Sequence, residues 1–124
     1  MVDGGKIDFL DISLWDVRKE AEDDSYKGQT LLSHFTGLDL SNVKLTVAGK
    51  IRSGADVSLV LDEGVDFVTI GRSGILHHDF ARQVMENPEF KPTSIPVSKI
   101  YLDQEGVGKK FIEYLGKWPR FVAD

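Results

Sequence analysis

Two short β-prone runs in this chain each end in a glycine followed by a basic residue. Val43-Lys44-Leu45-Thr46-Val47-Ala48 leads into Gly49-Lys50, and Val65-Asp66-Phe67-Val68-Thr69-Ile70 leads into Gly71-Arg72. The glycines stand 22 residues apart, at 49 and 71, with one helix-sized segment between them. Strand, crossover helix and strand make the parallel βαβ unit, which is right-handed almost without exception. Both Gly-basic pairs are therefore expected side by side at the carboxyl edge of one sheet. Glycine admits a ligand to the backbone N–H groups and Lys or Arg supplies positive charge, so neighbouring strand ends equipped in this way suit a phosphate.

The segment between the twin strands carries its own start and stop. Ser53 followed three residues later by Asp56 reads as a capping box, with Asp in place of the preferred Glu or Gln. Val57, Val60 and Leu61 form an apolar stripe, and Gly64 supplies a left-handed stop. Upstream, residues 7–14 alternate and predict a first strand running into Trp15-Asp16. Residues 16–28 are heavily charged without a sustained apolar face and read as a solvated loop with at most a helical turn. Leu31, Leu32, Phe35 and Leu38 give residues 30–38 the spacing of an amphipathic helix, with His34 on its polar flank.

Downstream of Arg72, Ser73-Gly74 reads as a flexible turn, followed by a helix over 79–86 with Phe80 and Val84 inward. Pro88, Pro92 and Pro96 then impose an extended, irregular connection. A last helix over 108–117 carries Phe111, Ile112 and Leu115 on one face and is closed by Trp118-Pro119. Trp15 and Trp118 are expected to be packing anchors. Asp8 and Asp11 fall on opposite faces of an alternating strand, which excludes them as a paired acid and base. His77-His78 reads as a solvated helix start, because no cysteine or carboxylate cluster stands at ligand spacing; no metal site is assigned.

Composition narrows the functional classes. A net charge of -5 with no basic stripe argues against nucleic acid as a partner. No apolar run approaches the roughly 20 residues of a membrane span, and no signal-peptide pattern is seen. The absence of cysteine excludes disulfides and is compatible with the cytoplasm. Three parallel strands with their helices predict an α/β chain, yet a full (β/α)8 barrel takes about 250 residues and this chain has 124. Its opening, Met1 to Lys6, offers no helix on which a first strand could pack. The expectation is a partial (β/α)8 TIM barrel rather than a complete small domain.

The residues also resemble a family. Val47-Ala48-Gly49-Lys50-Ile51-Arg52-Ser53-Gly54-Ala55-Asp56 resembles the segment at the seventh strand of the NADH:flavin oxidoreductase (old yellow enzyme) family, where a Val-Gly-Gly-Ile-Arg stretch leads into a helix with an acidic early turn. Asp66 to Arg72 resembles that family's eighth strand, an apolar run opened by Asp and ended by Gly-Arg. Ile75-Leu76-His77-His78-Asp79-Phe80 sits where members carry a short leucine-rich acidic turn, and Tyr101-Leu102 through Leu115 is similar to C-terminal segments of some members. One departure is Lys50, where many members have a second glycine.

The resemblance implies a single C-terminal partial-barrel unit over 1–124: a sixth βα unit at 1–42, a seventh at 43–64, and an eighth with the C-terminal helices at 65–124. It implies FMN as cofactor, its phosphate cradled by Gly49, Lys50, Gly71 and Arg72, and NADH or NADPH as the reductant of the whole enzyme. The family's flavin-ring and substrate groups, a histidine pair or His/Asn and a proton-donating Tyr, come from earlier strands, so no catalytic residue is assigned. Three readings stay open: the FMN-site portion of an NAD(P)H oxidoreductase, a part of another phosphate-binding TIM-barrel enzyme, and a non-catalytic self-associating module. The partners expected are a small-molecule cofactor or substrate and a second copy joined through exposed barrel edges.

Overall fold

The computed structural model describes residues 4–124; Met1, Val2 and Asp3, part of the opening considered above, lie outside them. The element order is β1 (Phe9–Ser13), a 3-10 turn (Asp24–Tyr26), α1 (Leu31–Thr36), β2 (Lys44–Ala48), α2 (Gly54–Asp62), β3 (Phe67–Val68), α3 (Arg72–Leu76), α4 (Phe80–Glu86), α5 (Lys99–Gln104) and α6 (Lys109–Leu115). The strands form one parallel sheet in the order β1-β2-β3. The chain is thus α/β with a small parallel sheet, as its pattern predicts. Among the described residues, no helix is long and apolar enough to cross a membrane.

β2 is central because its residues suit burial from both sides. Leu45, Thr46 and Val47 are all buried, the signature of an inner strand in a parallel sheet. Register places Leu10 beside Leu45, Ile12 beside Val47, and Val47 beside Val68 on one face. That face packs against Leu32 and Phe35 of α1 and Val57 and Val60 of α2. On the opposite face Thr46 is buried, while Phe9 is 55% and Phe67 42% exposed with their rings edge to face at 5.7 Å. Beneath them the Thr46 and Thr69 hydroxyls share a 3.0 Å hydrogen bond.

Local signals set the helix ends. Thr30 Oγ1 accepts from the Ser33 N–H at the start of α1. Both halves of the capping box form at α2: Ser53 Oγ accepts the Asp56 N–H at 3.2 Å, and Asp56 Oδ2 accepts the Ser53 N–H at 3.0 Å. Gly64 takes φ +103°, the left-handed stop its position calls for. A second buried cluster gathers Leu76 of α3, Leu102 of α5, Ile112 and Leu115 of α6, and Val97 and Phe121. Val97 is pinned to the C-terminal segment by backbone bonds with Phe121 and Ala123.

Several expectations are corrected. Ser73-Gly74 lies within α3 rather than in a flexible turn, with Ser73 fully buried. α5 stands inside the stretch read as irregular; Ser98 caps it by accepting the Tyr101 N–H, and Leu102 is its one buried anchor, too little apolar periodicity to declare a helix. Regular pairing in the third strand contracts from 65–70 to Phe67–Val68. Leu61 and Phe111 face outward, leaving Val60, Ile112 and Leu115 as the buried members of their helices. In the charged segment 16–28, Val17 is buried in the first cluster. His34 is half-buried, edge to face with Tyr26 at 5.1 Å, rather than simply on the surface. Trp118 does pack on the second cluster, but Trp15 is 84% exposed and anchors nothing.

Candidate functional site

The three strands run out at one carboxyl edge into loops that touch each other. Leu14 N–H, just past β1, donates to the Ala48 carbonyl at 2.8 Å, and Val17 N–H donates to the Gly49 carbonyl at 3.1 Å. The approach is so close that a Cβ on Gly49 would stand 2.5 Å from the Leu14 carbonyl oxygen, at a φ of +148°. Only glycine satisfies both conditions. The loop after β3 is tied in by Ser73, whose hydroxyl donates to the Arg52 carbonyl at 2.7 Å.

These loops surround a cavity of about 340 Å³ to which Lys50, Arg52 and Arg72 bring three cationic side chains. Gly49, Gly71 and Ala48 contribute main chain, and Leu14, Trp15, Ile51 and Thr69 complete the lining. None of these residues is acidic, in a chain whose net charge is -5. Two carboxylates stand next to the lining: Asp56 Oδ2 accepts the Arg52 N–H at 2.9 Å, and Asp16 lies 3.4 Å from the Lys50 ammonium. The Asp16 carboxyl is held below the ordinary value, first by the Arg18 N–H and, against some desolvation, by Lys50. Arg72 lies over the Trp118 indole at 5.4 Å from the ring centroid, a cation–π contact. Arg52 and Arg72 also line a second cavity of about 360 Å³, walled by Leu76, Ile95 and Phe121.

The main chain matches this charge. Among the described residues, the N–H groups of Gly49, Lys50, Ile51 and Gly71 find no protein acceptor. Lys50 adopts φ +53°, a left-handed conformation that costs a side-chain-bearing residue about 1 kcal/mol and glycine nothing. The backbone therefore keeps the shape of a Gly-Gly turn while the second position carries a charge. A Cβ on Gly71, itself a lining residue, would meet nothing within 4 Å.

All four sequence-predicted positions, Gly49, Lys50, Gly71 and Arg72, thus line one cavity. Two further lining residues, Arg52 and Trp15, fell outside the predicted set. The signal for both was their place just beyond a strand end at the same edge.

The histidine pair lies elsewhere. His77 Nε2 accepts the Thr93 N–H at 2.9 Å, which makes it a loop anchor rather than a solvated residue. The exposed His78 meets Glu105 through its backbone N–H at 3.0 Å and its ring Nδ1 at 2.7 Å; these bonds, the backbone one first, hold the Glu105 carboxyl below its ordinary value. His78, Asp79 and Glu105 bring possible ligand atoms within 4.8 Å of one another. Asp79 is already engaged by Arg82 at 2.8 Å and Glu105 by His78, which accounts for the cluster without an ion.

None of the protein-family models, curated proteins or solved structures compared with the chain matches it.

Proposed function

We propose that this cavity binds the phosphate of FMN, and that the chain forms strands six to eight of a flavin-binding (β/α)8 barrel of the NADH:flavin oxidoreductase type. The observation that carries the reading is that one cavity at adjacent parallel strand ends is lined by four residues whose N–H groups have no protein acceptor and by three cationic residues, with no acidic residue in the lining. Such a set fits a dianionic phosphate: the amides match its oxygens, and Arg72 can offer a bidentate charge-assisted contact.

The barrel assignment is supported by the placement of the helices. In an open doubly wound sheet, crossover helices cover both faces. Here α1 and α2 pack on one face, and the other exposes Phe9 and Phe67. One face toward helices and one toward a shared interior is the arrangement of barrel strands. The free edges of β1 and β3 with this open face also favour association with a second copy.

When bound, FMN would supply the hydride chemistry, accepting it from NADH or NADPH and passing it to an acceptor. The residues of this chain anchor and orient the phosphate end; none is assigned to the flavin ring or the substrate. A different phosphate-bearing ligand in a related barrel uses the same donors, so the test separates the two. Flavin fluorescence titration should show FMN binding that Arg72→Ala weakens by about 1–3 kcal/mol. Binding of ribose 5-phosphate with rejection of FMN would replace the flavin reading, and binding of neither would end the phosphate reading.

A further inference from the structure

Trp15 is exposed where tryptophan seldom is. The residue is 84% exposed and lines the same cavity as Lys50, Arg52 and Arg72. A tryptophan side chain carries roughly 150–250 Å² of apolar surface, and leaving it in water gains the fold nothing.

Nor is Trp15 the tip of a loose loop. On one side Leu14 packs on the first buried cluster and its N–H holds Ala48. On the other side Val17 is 2% exposed and its N–H holds Gly49. Asp16 is fixed by the Arg18 N–H at 2.9 Å and faces the Lys50 ammonium. Neighbours on both sides pin the main chain, and the residue between them lines the cavity while staying largely in water.

An indole carried on a pinned main chain beside a cationic pocket is the pairing that recognises a planar ring carrying an anionic tail. We infer that Trp15 is a specificity-determining residue: it seats the aromatic ring of a phosphate ester whose phosphate is held by Lys50, Arg52 and Arg72, so that the site selects aromatic phosphomonoesters over sugar phosphates. The inference rests on the phosphate reading above and adds to it the part of the ligand that is not phosphate. Flavin and purine nucleotides share the required chemistry, and FMN and AMP serve as separate probes.

The test compares the affinities of ribose 5-phosphate, AMP and FMN for the full chain and for Trp15→Ala and Trp15→Phe, by calorimetric titration, with circular dichroism confirming that each variant is folded. In the unsubstituted chain at least one aromatic ester should bind about tenfold or more tighter than ribose 5-phosphate, and which one does identifies the ring. Trp15→Ala should weaken that ester roughly 5- to 100-fold while moving ribose 5-phosphate less than about twofold, and Trp15→Phe should restore most of the loss. Equal losses for the aromatic and sugar esters, or no loss for either, would overturn the role of Trp15. If ribose 5-phosphate binds and neither aromatic ester binds more tightly, the phosphate site stands and this inference falls. If no ester binds, both fall together.

Discussion

The Ser73 hydroxyl donates a 2.7 Å hydrogen bond to the Arg52 carbonyl, joining the segment after β3 to the segment after β2. Ser73 is 1% exposed, so the bond is shielded from water. It sets the separation between the two arginines that flank the cavity.

Ser73→Ala should therefore cost about 1–2 kcal/mol of stability, because it removes a buried bond and leaves a carbonyl without its donor. Urea unfolding measures this. A loss below about 0.3 kcal/mol would mean that the two loops are held together by other contacts.

The two glycines should behave oppositely. Gly49→Ala forces a Cβ against the Leu14 carbonyl oxygen and should destabilise the fold by about 1–3 kcal/mol. Gly71→Ala meets open space, and with the unusual ψ of -98° as its one obstacle should cost less than Gly49→Ala, about 1 kcal/mol or under. Any affinity that Gly71→Ala loses for a phosphate ester then reports contact with the ligand itself. Thermal melts of the two variants that coincide would refute the contrast.

Acid should loosen the start of α2. Burial of the Asp56 carboxyl opposes its charge, but hydrogen bonds from the Arg18 side chain and from the Arg52 and Ser53 N–H groups outweigh burial and lower its pKa from 3.8. A carboxyl depressed by folding contributes stability above its unfolded value, and that stability is lost as pH falls through the folded value. The stability gap between the unsubstituted chain and Asp56→Asn should be steady from about pH 5 to pH 8, at about 1 kcal/mol for the weakened capping box, and should begin to close below about pH 4 as pH falls through the lowered folded value. A gap that did not narrow at all between pH 5 and the acid limit of the fold would assign the effect to packing instead of charge.

The open sheet face should drive association. Phe9 and Phe67, with the free edges of β1 and β3, expose apolar surface and unpaired backbone to water. Light scattering at micromolar concentration should show a dimer or larger species, shifted toward monomer by Phe9→Asp. A compact monomer across that range would count against the barrel-edge reading.

Much of the site was legible in the chain because its signals are local. The run Val43 to Ala48 alternates strongly enough to be a strand in any context, and Ser53 with Asp56 closes a box of four residues. A glycine then a base after each strand follows from spacing alone, since parallel crossover units place such ends together. Trp15 was misread because local pattern is silent on which surface meets it: the ring follows an amphipathic strand, where packing would be the ordinary outcome. Val17 was missed for the converse reason, one apolar residue among charges that a neighbouring loop happens to cover. α5 was hidden behind three prolines, its helix resting on Ser98 and one buried leucine.

Short-range backbone chemistry in the chain itself accounts for the strands, the capped helices and the twin turns, because such preferences act within a few residues of each other. Contacts between distant segments decided the rest: the left-handed turn at Lys50, the pinning of Leu14 against Gly49, the burial of Ser73, and the indole left in water beside three cations. Those features depend on which surfaces are brought together, and burial is a property of the assembled neighbours rather than of any one residue.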